Sequence, residues 1–154
     1  MDALDRRILR EVQQDCSLTA AQLADRCGTS ESTALRRLKR LRREGIIRAE
    51  VAVVDGAKIG RGLLLFVSVR LEREDGRGVK AFVERIRSHP DVLQFYFVTG
   101  SSDYLIMLSV PSMQAYDRFL QDHLVPDPLV IMSDTNVVIR PLKMSFALPV
   151  DEPA

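Results

Sequence analysis

The sequence predicts an α+β protein in two parts. Three observations predict it: capped amphipathic helices around a glycine in the first 48 residues, a strongly basic third helix among them, and β and helical periodicities that alternate after residue 62. The chain has 154 residues, 46% of them hydrophobic, enough for two small domains with modest cores. Its formal charge of +1 hides a basic stretch from Arg36 to Arg48 set against a more acidic remainder. No apolar run reaches the roughly 18 residues needed to cross a bilayer, and Met1-Asp2 leads straight into an amphipathic helix, so a cytoplasmic protein with no membrane partner is expected. Cys16 and Cys27 lack metal-type spacing and are expected to be reduced, buried, unreactive thiols.

Leu4, Ile8, Leu9 and Val12 recur at helical spacing behind Asp2, which stands at an N-cap position, with Asp5 in the favourable first turn. Thr19-Ala20-Ala21-Gln22 is a capping-box pattern that opens a short second helix, with a small apolar face from Ala21, Leu23 and Ala24 and an end at Gly28. Ser30 caps a third helix running to Glu44, where Gly45 stops it before a strand-like run from Ile46 to Val54. Two helices around a glycine-containing turn make a helix-turn-helix, of winged-helix-like form with the following strand.

The third helix carries the chemistry. At about 100° per residue, Ala34, Leu35, Leu38 and Leu41 cluster on one side, and Ser32, Thr33, Arg36, Lys39, Arg40 and Arg43 lie opposite, with Arg37 and Arg42 on the flanks. Double-stranded DNA suits this pattern, because a helix fits the major groove, hydroxyl and guanidinium groups near its start reach base edges, and later cations neutralise phosphates. Ser32, Thr33 and Arg36 are the expected base readers, and Arg37, Arg40, Arg43 and Arg48 the expected phosphate contacts. A basic helix is often only a solvated face. Here it follows a capped short helix and a glycine turn, which favours DNA.

Beyond the strand-like run, Asp55 to Gly62 is rich in glycine and charge, and the reading divides the chain into 1–48, a linker 49–62, a second domain 63–148 and a tail 149–154. Leu63 to Leu71 is a β run, Gly78 to His89 is helical through Val79, Phe82, Val83 and Ile86, and Val92 to Thr99 is a second β run. The pattern repeats with Tyr104 to Val110, a helix from Ser112 to His123, and a last strand within Ser133 to Phe146. That order is the ferredoxin-like βαββαβ split. The second and third strands look apolar on both faces, yet two helices cover only one face of such a sheet. A second subunit is therefore expected on the other, and a dimer would let two recognition helices read a palindromic site.

Several stretches together resemble the Lrp/AsnC (leucine-responsive, feast/famine) family. Leu4-Asp5-Arg6-Arg7-Ile8-Leu9 is similar to its opening helix, Ser30 and Ser32 followed by Leu35-Arg36-Arg37-Leu38-Lys39-Arg40-Leu41 to its recognition helix, and Glu44-Gly45-Ile46-Ile47 to the helix end and the strand that follows. Val98-Thr99-Gly100-Ser101-Ser102-Asp103-Tyr104-Leu105 is similar to the G-x-x-D hairpin of its regulation-of-amino-acid-metabolism (RAM) domain. The resemblance covers nearly the whole chain. It implies a transcription regulator that forms dimers, often octamers, and binds an amino acid or similar effector between dimers. In such a site Gly100 would expose backbone N–H groups to an α-carboxylate and Asp103 would pair with an α-ammonium; Ser133, Asp134, Thr135 and Asn136 of a neighbouring subunit would complete it. The other reading of Gly100 to Asp103 is a loop that merely joins two antiparallel strands. Ser101 and Ser102 stand where many family members carry an acidic residue and an aromatic, so the effector's identity does not carry over.

Two further readings compete. A nucleoid-type DNA binder without an effector would keep the basic helix and the dimer. An enzyme like the sirohaem decarboxylases, which resemble the same family, would need haem-contacting groups, but His89 and His123 read as exposed helix-end residues with no polar catalytic cluster beside them. No phosphate loop, zinc pattern or nucleophile motif is found, so no catalytic residue, metal or cofactor is expected.

Overall fold

The computed structural model describes residues 1–72 and 76–150; residues 73–75 and 151–154, and with them most of the expected 149–154 tail, lie outside the described residues. The chain forms two compact units, one of Met1–Val53 together with the stretch from Leu142, the other of Val54–Pro141.

The first unit holds helices α1 (Ala3–Gln14), α2 (Ala20–Cys27) and α3 (Glu31–Arg43). Their starts follow the caps read from sequence. Asp2 and Asp5 form a reciprocal capping box on α1, Thr19 and Gln22 another on α2, and Ser30 caps α3 by accepting from the Thr33 N–H. Gly28 ends α2 at φ 62°, a left-handed conformation that leaves the chain free to turn into α3. Ile8, Leu9, Leu23, Ala24, Cys27, Ala34, Leu38 and Leu41 close the core. Leu35 does not join them: it is 38% exposed, because the buried stripe of α3 follows residues 34, 38 and 41. Cys27 is buried, and burial pushes its thiol pKa up, whereas Cys16, expected to be buried, is exposed in the turn after α1.

Two segments differ locally from the periodicity of their sequence. The run from Ile46 to Val54 is not a strand; its alternating apolar residues are real, but a ladder needs a partner and none pairs with it among the described residues. The end of the expected 63–148 domain groups with the first unit from Leu142 onward. The physical reason lies on α1. The Gln13 Nε2 donates to the Leu148 carbonyl (3.1 Å) and the Leu148 N–H donates back to Gln13 Oε1 (2.7 Å), while Val150 packs against the helical core.

In the second unit a single 3-10 turn (Gly56–Ile59) precedes β1 (Leu63–Leu71), α4 (Gly76–Arg87), β2 (Val92–Phe97), β3 (Tyr104–Val110), α5 (Met113–His123) and β4 (Val130–Val137). The four strands run antiparallel in the order β2-β3-β1-β4, the ferredoxin-like arrangement. β2 stops two residues short of Thr99, and β4 starts at Val130 and ends at Val137, earlier than the expected Ser133 to Phe146. Leu65, Val67, Val69 and Leu71 of β1 and Tyr104, Ile106, Leu108 and Val110 of β3 face Phe82, Ile86, Tyr116 and Phe119 of the helices. The alternate residues Leu64, Phe66, Leu105 and Met107, all half-buried, lie on the other face, away from α4 and α5.

Phe82 centres the covered face, with no exposure and with Phe95 and Tyr104 at ring distances of 6.2 and 5.6 Å. Phe82→Ala is expected to destabilise the protein by about 3–5 kcal/mol in urea unfolding followed by circular dichroism. A loss under about 1 kcal/mol would contradict this packing.

Candidate nucleic-acid interface and effector site

On α3 the first turn is organised by Ser30, whose hydroxyl lies 2.8 Å from Thr33 Oγ1 and 3.2 Å from Ser32 Oγ. Ser32 is exposed and Thr33 half-buried. Arg36, Lys39 and Arg43 are exposed and have no ion-pair partner among the described residues; nor does Arg48. Their spacing puts Arg36, Lys39 and Arg43 on one face, along roughly 10 Å of helix. Arg42 is turned aside, held by Glu50 through contacts of 3.2, 2.7 and 3.0 Å.

Arg37 and Arg40, expected on phosphates, instead reach the start of α1. Arg37 donates to Asp2 (2.5 Å) and Asp5 (3.2 Å), and Arg40 donates to the second Asp5 oxygen (2.5 Å). That oxygen also accepts from the Asp2 N–H at 3.0 Å. Asp5, at 0% exposure, is the one buried charged residue among those described. The carboxyl of Asp2 is held at about 2 by the Asp5 backbone N–H first and then by Arg37, whose own guanidinium is pushed upward by the same pairing. Folding therefore gains from the ionised Asp2 at any pH above its unfolded value near 3.8, and loses that gain as pH falls through 2.

From sequence alone Asp5 is visible only as a first-turn acid, and Lys39 is not among the expected contacts. The signal for the ion pairs was present as matched spacing, acids at positions 2 and 5 and arginines at 37 and 40, each three apart and so on one helix face.

In the second unit, Gly100 to Asp103 lie in the loop between β2 and β3, which closes with a bond from the Val98 N–H to the Asp103 carbonyl (2.8 Å). Gly100 is exposed at φ 118°, a conformation that favours glycine. Ser101 is exposed and Ser102 half-buried. Asp103 anchors the loop to β1: its N–H donates to the Val69 carbonyl (3.0 Å) and its Oδ2 accepts from the Leu71 N–H (2.9 Å). Among the described residues no hydrogen bond to its other carboxylate oxygen is seen.

The four β4 candidates divide between the faces of the sheet. Asp134 and Asn136, opposite Ser68 and Phe66, lie on the uncovered face, where Asn136 donates to Asp134 at 3.3 Å. Thr135 shares a hydrogen bond with the Tyr116 hydroxyl of α5, and Ser133, two residues away on the strand, shares that face. Within one chain the expected four therefore do not converge.

His89 and His123 differ from the expected exposed residues. Both are half-buried, with rings 4.8 Å apart and both against Phe119. Burial first, then His89, lowers the pKa of His123. Among the described residues no group of three His, Cys, Asp or Glu side chains could hold a metal ion, and no helix is long and apolar enough to cross a membrane.

Residues 1–48 match the winged helix-turn-helix DNA-binding family and residues 64–148 the Lrp/AsnC ligand binding domain. The chain is 32% identical to the transcriptional regulator AzlB of Bacillus subtilis, covering 99% of this chain and 97% of that one. An AsnC family transcriptional regulator from Agrobacterium tumefaciens superposes with a TM-score of 0.91 at 33% identity, covering 97% of both chains. A transcriptional regulator from Neisseria meningitidis, solved as an L-Met complex, superposes with a TM-score of 0.93 at 30% identity, covering 98% of this chain and 97% of that one. These likenesses point to a regulator rather than an enzyme. Their extent across both units makes this chain a member of the Lrp/AsnC family of transcriptional regulators.

Proposed function

We propose that this regulator binds double-stranded DNA in the cytoplasm as a homodimer on a palindromic operator, assembles further to an octamer, and answers to an amino acid or similar effector. The observation that carries the DNA reading is the row Arg36, Lys39 and Arg43, without ion pairs among the described residues, on a helix capped at Ser30. Ser32, Thr33 and Arg36 read base edges from the first turns; Lys39, Arg43 and Arg48 hold phosphates. The apolar sheet face opposite α4 and α5, where Leu64, Phe66, Leu105 and Met107 are half-buried and Tyr96 and Met132 exposed, supports the dimer, since a soluble monomer rarely leaves such a face unpartnered.

For the effector, the loop from Gly100 through Ser101 and Ser102 offers backbone N–H groups to a carboxylate, and the free oxygen of Asp103 pairs with an ammonium. A second copy supplies Asp134 and Asn136, while Ser133 and Thr135 orient β4 from its inner face. The relative solved with L-Met supports an amino-acid ligand. One observation favours the alternative, a DNA binder without an effector: Asp103 already has a structural task at the Leu71 N–H.

Arg36→Ala is expected to weaken specific binding by about 1–3 kcal/mol and random-sequence binding far less, whereas Arg43→Ala weakens both alike. Equal effects of the two substitutions in a binding titration would contradict these roles.

A thermal-shift screen against the twenty amino acids is expected to show selective stabilisation, about 2.7 kcal/mol at a concentration 100 times the dissociation constant. Asp103→Asn keeps an oxygen for Leu71 and removes the charge, so it should retain the unliganded melting temperature and lose the shift. A retained shift would remove Asp103 from the site, and no shift with any amino acid would favour the effector-free reading.

A further inference from the structure

Of the six cations on α3, Arg36, Lys39 and Arg43 have no ion-pair partner among the described residues, Arg42 is held by Glu50, and Arg37 and Arg40 are held by acids at the start of α1. Arg37 lies between Asp2 and Asp5, and Arg40 between Asp5 and Glu44, the last at 3.7 Å. The shared carboxylate has no solvent exposure. A phosphate drawing either arginine away would leave that carboxylate buried and short of its counter-charge, which is strongly unfavourable. Among the described residues Arg36, Lys39 and Arg43 have no such competitor.

We infer that Asp2 and Asp5 act as a built-in counter-charge that withholds Arg37 and Arg40 from DNA phosphates and so sets how many backbone charges the recognition helix neutralises. Asp5 is thus a positioning residue, acting on DNA through the arginines it holds. The consequence is selectivity. Phosphate contacts strengthen binding to any sequence, and a helix that used Arg37 and Arg40 as well would raise its affinity for random DNA without reading one more base. Withholding two keeps the specific contacts of the first turn a larger share of the whole.

The sign of the effect separates this role from simple structural support. Each added phosphate contact steepens the dependence of log affinity on log salt by about 0.9, equivalent to a further loss of roughly 3.5-fold between 50 and 200 mM salt. The test is fluorescence anisotropy of the full-length protein on a random-sequence DNA duplex across that range. Asp5→Asn is expected to steepen the slope by about 0.9 to 1.8 per bound recognition helix and to tighten random-sequence binding at low salt. Replacing Arg40 as well, in Asp5→Asn/Arg40→Gln, should return the slope toward the wild-type value by about 0.9. Asp2→Asn covers the case in which Asp5→Asn does not fold: Asp2 is exposed, Asn caps a helix as well as Asp does, and the loss of its charge loosens Arg37 alone, so a steepening of up to about 0.9 is expected. An unchanged or shallower slope in the folded variants, or a uniform loss of affinity at every salt concentration, would overturn the inference.

Discussion

Two helices on a four-stranded sheet can cover only one of its faces, and much of this molecule's behaviour follows from that shortage. β1 and β3 send every second side chain into a closed core beneath α4 and α5, and the residues between, Leu64, Phe66, Leu105 and Met107, face away from both helices. The same face carries Asp134 and Asn136. Under the proposed dimer one surface thus meets two needs, apolar cover for the sheet and polar groups lent to a site that a single chain leaves incomplete. A twofold assembly also presents two copies of α3, which is what a palindromic DNA site requires.

The first unit works under a different constraint, the disposal of charge. Its third helix is strongly cationic, and a helix with neighbouring arginines on it is self-repelling unless some are neutralised. α1 supplies the acids. Asp5 satisfies the Asp2 N–H, Arg37 and Arg40 at once, so the same carboxylate caps one helix and fixes a second against it. Arg42 is likewise matched by Glu50. The near-neutral total of the chain therefore conceals a sorting of cations into those spent on the fold and those left for a partner.

What the sequence made legible is local. Helix starts at Asp2, Thr19 and Ser30 are readable because a cap depends on residues three apart, and β3 because it is a short apolar run of strand length. What it concealed depends on contacts through space. The run from Ile46 to Val54 has strand-like alternation but no ladder partner, and the stretch from Leu142 alternates too, yet Gln13 draws it to α1. Arg37 and Arg40 looked as free as Arg36 because a helical wheel omits the neighbouring helix. The contiguous set Ser133 to Asn136 was read as one group, although a strand must divide it between two faces.

The central claim, that two copies of α3 recognise DNA sequence together, is tested most directly by selecting bound duplexes from a random-sequence pool with the purified protein. Enrichment of an inverted repeat with half-site centres about 10 to 10.5 base pairs apart, or a multiple of that, is the expected result. A selected pool with no common sequence, or with one unrepeated half-site, would contradict it.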